Sequence, residues 1–179
     1  MSVHVMVDLE TLGTAPGSVI WSIGAAKFDP MTDMLDDTFH VVVDVRDAVG
    51  RGLTINADTM LWWMDASRTE AREQLLQPAT AVDTFSALHG FAEWYGQDSL
   101  PTWGNGATFD NVLLRTAMER VGVECPWRFW DDRCYRTFKA LAPAVKLERL
   151  GTHHNALSDA ISQARHMQNI IKSLGLTNV

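Results

Sequence analysis

The sequence predicts an α/β fold: one mixed sheet, an antiparallel meander followed by parallel strands, with helices on both faces. Three observations lead there. Strand-like runs open the chain with only short turns between them. Later segments of helical period alternate with short apolar runs. The 179 residues, 46% of them hydrophobic, suit a single domain, 1–179, with a full core. Strands first, then helix and strand in alternation, fit a sheet covered on both faces.

The elements follow in order. Val3–Asp8 is an apolar run and reads as the first strand. Thr11–Gly17 is a turn-rich loop. Val19–Phe28 and Asp37–Val43 are the next strands, joined through Asp29-Pro30, which completes a meander. Residues 46–54 read as irregular. Asn56 or Asp58 caps a helix through Met64, and a second helix runs from Ser67 to Leu76, closed by Pro78. Thr80 or Asp83 starts a helix to Trp94, with Phe85, Leu88, Phe91 and Ala92 on one stripe. Thr102–Asn105 is a buried strand and a Gly-rich turn follows. Phe109, Val112, Leu113, Ala117 and Val121 then recur at helical spacing. Trp127–Trp130 reads as a short strand, and Tyr135–Leu141 as a helix. Ala156 through Leu174 forms a long amphipathic helix ending at Gly175.

Acidic residues sit at the ends of these elements. Asp8 and Glu10 close the first strand, and positions i and i+2 point to one face. Two hard oxygen ligands then converge, which suits Mg²⁺ or Mn²⁺ rather than zinc. Like charges so close make sense beside a cation. Asp110 opens a helix, where a carboxylate also complements the dipole. Asp159 lies early in the last helix, with His154 five residues before it. An imidazole entering there suits a general base, with an ordinary pKa about 6.5. His153 competes for the role. Each piece alone is more often a turn, a dipole partner or a cap; their conjunction is what points to chemistry.

The resemblance follows from these residues. Asp8-x-Glu10, Asp110 and His154 with Asp159 resemble the motifs of the DnaQ-like 3′–5′ exonucleases, the DEDD superfamily, in its DEDDh branch. The likeness runs from Val5 to about Ala164. Asp58-Thr59-Met60-Leu61-Trp62-Trp63-Met64, with Asp8-Leu9-Glu10-Thr11-Leu12-Gly13, is similar to a subgroup of RNase AS-type exoribonucleases and phage exonuclease A or exonuclease VIII-like proteins. The resemblance implies an RNase H-like fold. Its spacing selects His154 over His153 as the base. It implies that Asp8, Glu10, Asp110 and Asp159 hold two divalent metal ions, Mg²⁺ or Mn²⁺, with Asp110 acting largely through waters. Such ions stand roughly 3.5–4 Å apart and clamp both ends of an in-line displacement.

Substrate contacts are expected from several residues. Adjacent Trp62 and Trp63 cannot both face one core, so one can stack on a terminal base. Leu12 and Leu9, beside the carboxylates, could wedge against the terminal nucleotide. Thr11 and Asn111 flank the motifs and complete the expected contact set. Arg115, Arg120, Arg133, Arg136 and Lys139 are candidates to touch phosphate.

Composition narrows the class. A net charge of −7 argues against sequence-independent clamping of a long duplex, not against gripping one chain end. No signal peptide and no apolar run long enough to span a bilayer is present. Two cysteines, Cys125 and Cys134, form no disulfide framework, which fits a cytoplasmic setting. The expected partners are single-stranded DNA or RNA 3′ ends, with DNA slightly favoured and no membrane. The chain admits a homodimer without fixing one. Two alternatives stand beside this reading: an exoribonuclease or oligoribonuclease, and an inactive nucleic-acid-binding subunit of a larger complex.

Overall fold

The computed structural model describes residues 2–76 and 80–178; the predicted helix stop at Pro78 lies outside them. Strands β1 (His4–Thr11), β2 (Ile20–Phe28) and β3 (Leu35–Val43) form the antiparallel meander. Helices α1 (Val45–Gly50), α2 (Ala57–Met64) and α3 (Thr69–Leu75) follow, with a 3₁₀ turn at Ala66–Arg68. Then come β4 (Ala81–Val82), α4 (Thr84–Tyr95), β5 (Thr102–Gly104) and α5 (Asp110–Val121). The chain closes with β6 (Asp132–Cys134), α6 (Tyr135–Lys139) and α7 (Ala156–Leu174). The strand order is β4-β3-β2-β1-β5-β6, with β5 parallel to both β1 and β6. This is the predicted mixed sheet with helices on both faces.

Alternation along β1 assigns the two faces. Val5, Val7 and Leu9 pack with Leu88 and Phe91 of α4 and with Leu113 and Leu114 of α5. Met6 points the other way, onto Ala160, Ala164 and Met167 of α7. Asp8 and Glu10 continue the face of Met6, so the same alternation that buries Met6 aims both carboxylates under α7. Burying an Ile or Met side chain contributes about 1.5–3 kcal/mol. Met167, Ile170 and Ile171 therefore hold α7 firmly enough to fix its N-terminus.

Where that N-terminus crosses the sheet, β2 carries Gly24, opposite Asp8. A Cβ on Gly24 would lie 2.1 Å from the Ala156 carbonyl carbon. Only glycine lets the helix start come down onto Asp8. Gly104 does the same at the end of β5, where a Cβ would lie 2.8 Å from the Asp110 Cβ.

Several elements differ from the sequence reading. Residues 45–50 are helical where an irregular segment was expected. Asp44 caps the Arg46 amide, and one buried residue, Ala48, leaves no period to detect. The strand expected at Trp127–Trp130 is instead a 3₁₀ turn, Phe129–Asp131, and the strand follows it as β6. Trp127 is core: it packs against Phe91 and Tyr95 and donates to Asp132 Oδ1 at 2.7 Å. The first strand runs on to Thr11 and carries Glu10 within it. Of the paired cap choices, Asn56 and Asp83 accept from Thr59 and Ser86 amides respectively.

Candidate active site

Four carboxylates meet at the C-terminal end of β1. Asp8 and Glu10 come from the strand, and Asp110 and Asp159 from the first turns of α5 and α7. Carboxylate oxygens of Asp8, Glu10 and Asp159 lie within 4.8 Å of one another. All four residues are buried, and all line one cavity of about 200 Å³. Burial, then the neighbouring charges of Asp110, Glu10 and Asp159, push Asp8 well above the carboxylate range. Burial, then Asp159 and Asp110, push Glu10 up to about 8. Burial takes Asp110 to about 7. Gln163, one turn beyond Asp159 on α7, donates to Asp8 Oδ1 at 2.7 Å.

The donor set fits hard divalent cations. Asp110 Oδ2 is buried with no hydrogen-bond partner. An orphaned buried carboxylate oxygen is costly and calls for a ligand. Carboxylates this close also need positive charge to stay ionised near neutral pH. All the donors are oxygens, which suits Mg²⁺ or Mn²⁺.

The histidines reach the cavity from the irregular segment between α6 and α7. The His154 amide donates to Asp159 Oδ2 at 2.9 Å, and Arg149 Nη1 donates to Asp159 Oδ1 at 2.9 Å. His154 has φ 63°, the one non-glycine positive φ among the described residues. Its ring is stacked on His153 at 3.7 Å and meets the Trp62 ring edge-on at 5.0 Å. Burial, then the neighbouring His153, lowers His154 to about 4. The imidazole is therefore neutral at pH 7, the form a general base requires.

A second cavity of about 610 Å³ adjoins the first, sharing Leu9, Glu10, Phe109, Arg136 and His154. Helix α2 walls it. Trp63 is 1% exposed and donates its indole N–H to the Thr11 carbonyl at 2.9 Å. Trp62 is 40% exposed, with the Arg68 guanidinium over its ring at 3.7 Å. The adjacent tryptophans thus divide into one core and one cleft-facing residue.

The other expected contacts divide as well. Thr11 lines the larger cavity, though its hydroxyl donates inward to the Gly13 carbonyl. Leu12 is corrected: it is 2% exposed in the cluster beneath α2 and α3, because the residue after Thr11 turns into the core. Leu9 lines both cavities in its place. Asn111 is corrected too. It is buried away from the cleft and donates to the Thr102 carbonyl and Asp132 Oδ1, tying α5 to β5 and β6. Of the five basic residues, Arg136 and Lys139 line the smaller cavity. Arg115 pairs with Asp132, Arg120 donates to the Gly52 carbonyl, and Arg133 donates to the carbonyls of Trp130 and Asp132. Sequence reasoning missed Gln163 and Arg149. Gln163 was findable, being four residues from Asp159 on one helix face. Arg149 lies in a segment with no period and gave no signal.

Four carboxylates thus converge on one cleft of a six-stranded mixed sheet, with His154 just before the last helix. The family model described as the 3′–5′ exoribonuclease Rv2179c-like domain matches residues 3–171, and the chain belongs to that family. Among solved structures, the chain is similar to cell-death related nuclease 4, with TM-score 0.62 and 13% identity, covering 97% of this chain and 64% of that one. It is similar to E. coli exonuclease I bound to a dT13 oligonucleotide, with TM-score 0.63 and 16% identity, covering 98% of this chain and 41% of that one. It is also similar to the nuclease domain of 3′hExo, a DEDDh family member bound to rAMP, with TM-score 0.60, 13% identity and coverage of 96% and 92%. The chain thus spans about two-fifths of exonuclease I and under two-thirds of the cell-death nuclease. No curated protein matches it significantly. No helix among the described residues is long and apolar enough to cross a membrane.

Proposed function

We propose that this chain is a metal-dependent 3′–5′ exonuclease that removes 5′-mononucleotides from single-stranded nucleic acid. The observation that carries this reading is one cleft holding Asp8, Glu10, Asp159, the unpartnered Asp110 Oδ2 and a neutral His154. Asp8, Glu10 and Asp159 would hold one divalent ion, and Asp8 with Asp110 would support a second. When bound, such ions acidify a water and offset charge on the leaving oxygen. His154 takes the proton of the attacking water at its imidazole. Asp159 holds the His154 backbone through its amide, which fixes where the imidazole stands. Gln163 orients Asp8 by donating to Oδ1. Trp62, Leu9 and Phe109 offer apolar surface to the terminal base, and Arg136, Lys139 and Arg149 offer positive charge to its phosphates.

We infer RNA as the preferred strand. The sequence leans slightly to DNA, but no residue in it discriminates the two. The family's description as exoribonucleases shifts the weight to RNA. Recognition of RNA needs a polar group at the 2′-hydroxyl, and Glu10 and Thr11 are polar groups lining the larger cavity.

The test uses matched DNA and RNA oligonucleotides labelled at the 5′ end, with Mg²⁺ or Mn²⁺. A descending ladder, abolished by EDTA and faster on RNA, is the expected result. Release of a labelled mononucleotide at once would reverse the polarity. Intact substrates under both ions would end the activity reading, and faster loss of DNA would end the RNA assignment.

A further inference from the structure

Helix α3 sits beside the cleft, and its side chains reach the segment that carries His154. Ala71 and Leu75 of α3 are buried in the cluster that includes Trp63. Glu70 and Gln74, one position earlier in each turn, form the adjoining stripe. Gln74 Nε2 lies 3.2 Å from Thr152 Oγ1, Thr152 Oγ1 lies 2.8 Å from Glu70 Oε1, and Asn155 Nδ2 lies 2.9 Å from Gln74 Oε1.

The direction of this chain of bonds is fixed from one end. Asn155 caps α7 by accepting the Ser158 amide at Oδ1. Its Nδ2 must therefore be the group that donates to Gln74 Oε1. Gln74 then has only Nε2 to offer Thr152. Thr152 accepts that bond, and its own proton goes to Glu70. Every donor and acceptor is used once, with no conflict. The two residues gripped, Thr152 and Asn155, stand on either side of His153 and His154. Between them, His154 holds a positive φ, uncommon outside glycine although histidine adopts it more readily than most residues. Such a conformation persists only where its surroundings over-determine it.

We propose that Glu70, Gln74 and Thr152 are positioning residues for the general base, holding the His154 segment against α3 so that the imidazole faces the metal carboxylates. The inference rests on His154 acting as the base. None of the three lines either cavity; they act through His154. Because these bonds lie near the surface, each contributes little to global stability. Their removal loosens one segment and leaves the domain folded.

The test compares Thr152→Val, which keeps shape and removes the hydroxyl, with Thr152→Ser, which restores it. Misplacing a catalytic group by an ångström costs up to about 10²-fold. Thr152→Val should lower kcat on a 5′-labelled RNA by about 10- to 100-fold with KM and melting temperature unchanged, and Thr152→Ser should recover most of the rate. In a His154→Ala background, Thr152→Val should slow the reaction no further. Hydrogen exchange read without substrate should show the His154 amide exchanging faster in Thr152→Val, while amides in the middle of α7 keep their protection. An unchanged kcat, an unchanged exchange rate or equal slowing in the His154→Ala background overturns the proposal. If the native chain degrades neither RNA nor DNA, the reading of His154 as base fails, and the exchange rates alone then decide whether Thr152 holds the segment.

Discussion

Asp8, Glu10, Asp110 and Asp159 reach the cleft from a strand and from the first turns of two long helices. His154 reaches it from a residue of positive φ in an irregular segment, and Trp62 from a helix of eight residues. The first region is rigid because core packing continues directly beneath it. Met6 precedes Asp8 on the same face, and Ala160 follows Asp159. The second region is held by side chains: Asp159 on the His154 amide, Gln74 on Asn155 and Thr152, Arg68 over Trp62. Fixed charge thus stands on regular structure, and the groups proposed to move a proton or grip a base stand on parts held by side-chain contacts. That division is physically sensible. Converging carboxylates repel and need a stiff frame, whereas the base is held by a few side-chain bonds that single substitutions can remove.

The sharpest way to break this contrast is to remove one carboxylate. Asp8→Ala, Glu10→Ala, Asp110→Ala or Asp159→Ala should each abolish most turnover, since the four act as one site. In EDTA at pH 8 Glu10→Ala should melt higher than the native chain, because a repelling charge has gone. Near-normal turnover in Asp110→Ala or Asp159→Ala would remove that residue from the site.

The histidine wall predicts a smaller loss of a different kind. A positioned general base contributes on the order of 10²–10⁴ in rate. His154→Ala should lose activity on that scale and still bind Mn²⁺ in the absence of substrate. His153→Ala should lose far less, since its ring stacks on the outer side of His154. Reversal of the two effects would move the base to His153.

The same contrast explains what the sequence made legible. The carboxylates were readable because strand alternation and helix starts are short-range rules: i and i+2 on a strand share a face, and a first-turn residue points at the helix mouth. The meander was readable from its turn residues. The helix at Val45–Gly50 and the strand at Asp132–Cys134 were not, being too short to show a period. Leu12 was misjudged because nearness in sequence to Glu10 says nothing about a turn into the core. Arg149 lies in a segment with no period, and the Thr152 contacts were invisible because bonds between residues about eighty positions apart leave no local pattern.

The paired tryptophans sharpen the contrast within one helix. Trp63→Ala removes a fully buried indole and should cost about 3–5 kcal/mol of stability. Trp62→Ala should instead weaken oligonucleotide binding by about 1–3 kcal/mol, the size of one base–aromatic stack, with little change in melting. Melting curves and affinities for both variants separate the roles. Unchanged affinity in Trp62→Ala would leave Leu9 and Phe109 as the apolar contacts to the terminal base.

The smallest effect is a pH dependence that only the carboxylate floor should produce. Glu10 titrates at about 8 in the fold, against an ordinary 4.5, with burial the main cause. Between those values the folded chain keeps a proton that the unfolded chain has released. Its contribution is therefore complete below about 4.5 and lost as pH rises towards 8. The buried histidines have the opposite sign. His154 and His4 are lowered to about 4 from 6.5, so their contribution is lost as pH falls below 6.5. Above 6.5 the histidines are neutral in both states while the raised carboxylates still act, so the measurement belongs between pH 6.5 and 8. In EDTA the melting temperature of the native chain should fall across that window, by about 2–4 °C for each kcal/mol at this chain length. Glu10→Gln should flatten the fall, since an amide has no proton to release. Saturating Mn²⁺ should reverse it, because binding to ionised carboxylates stabilises the fold more as they ionise. An equal slope in Glu10→Gln and the native chain would remove Glu10 from the charged floor and leave Asp8 and Asp110 to carry the dependence.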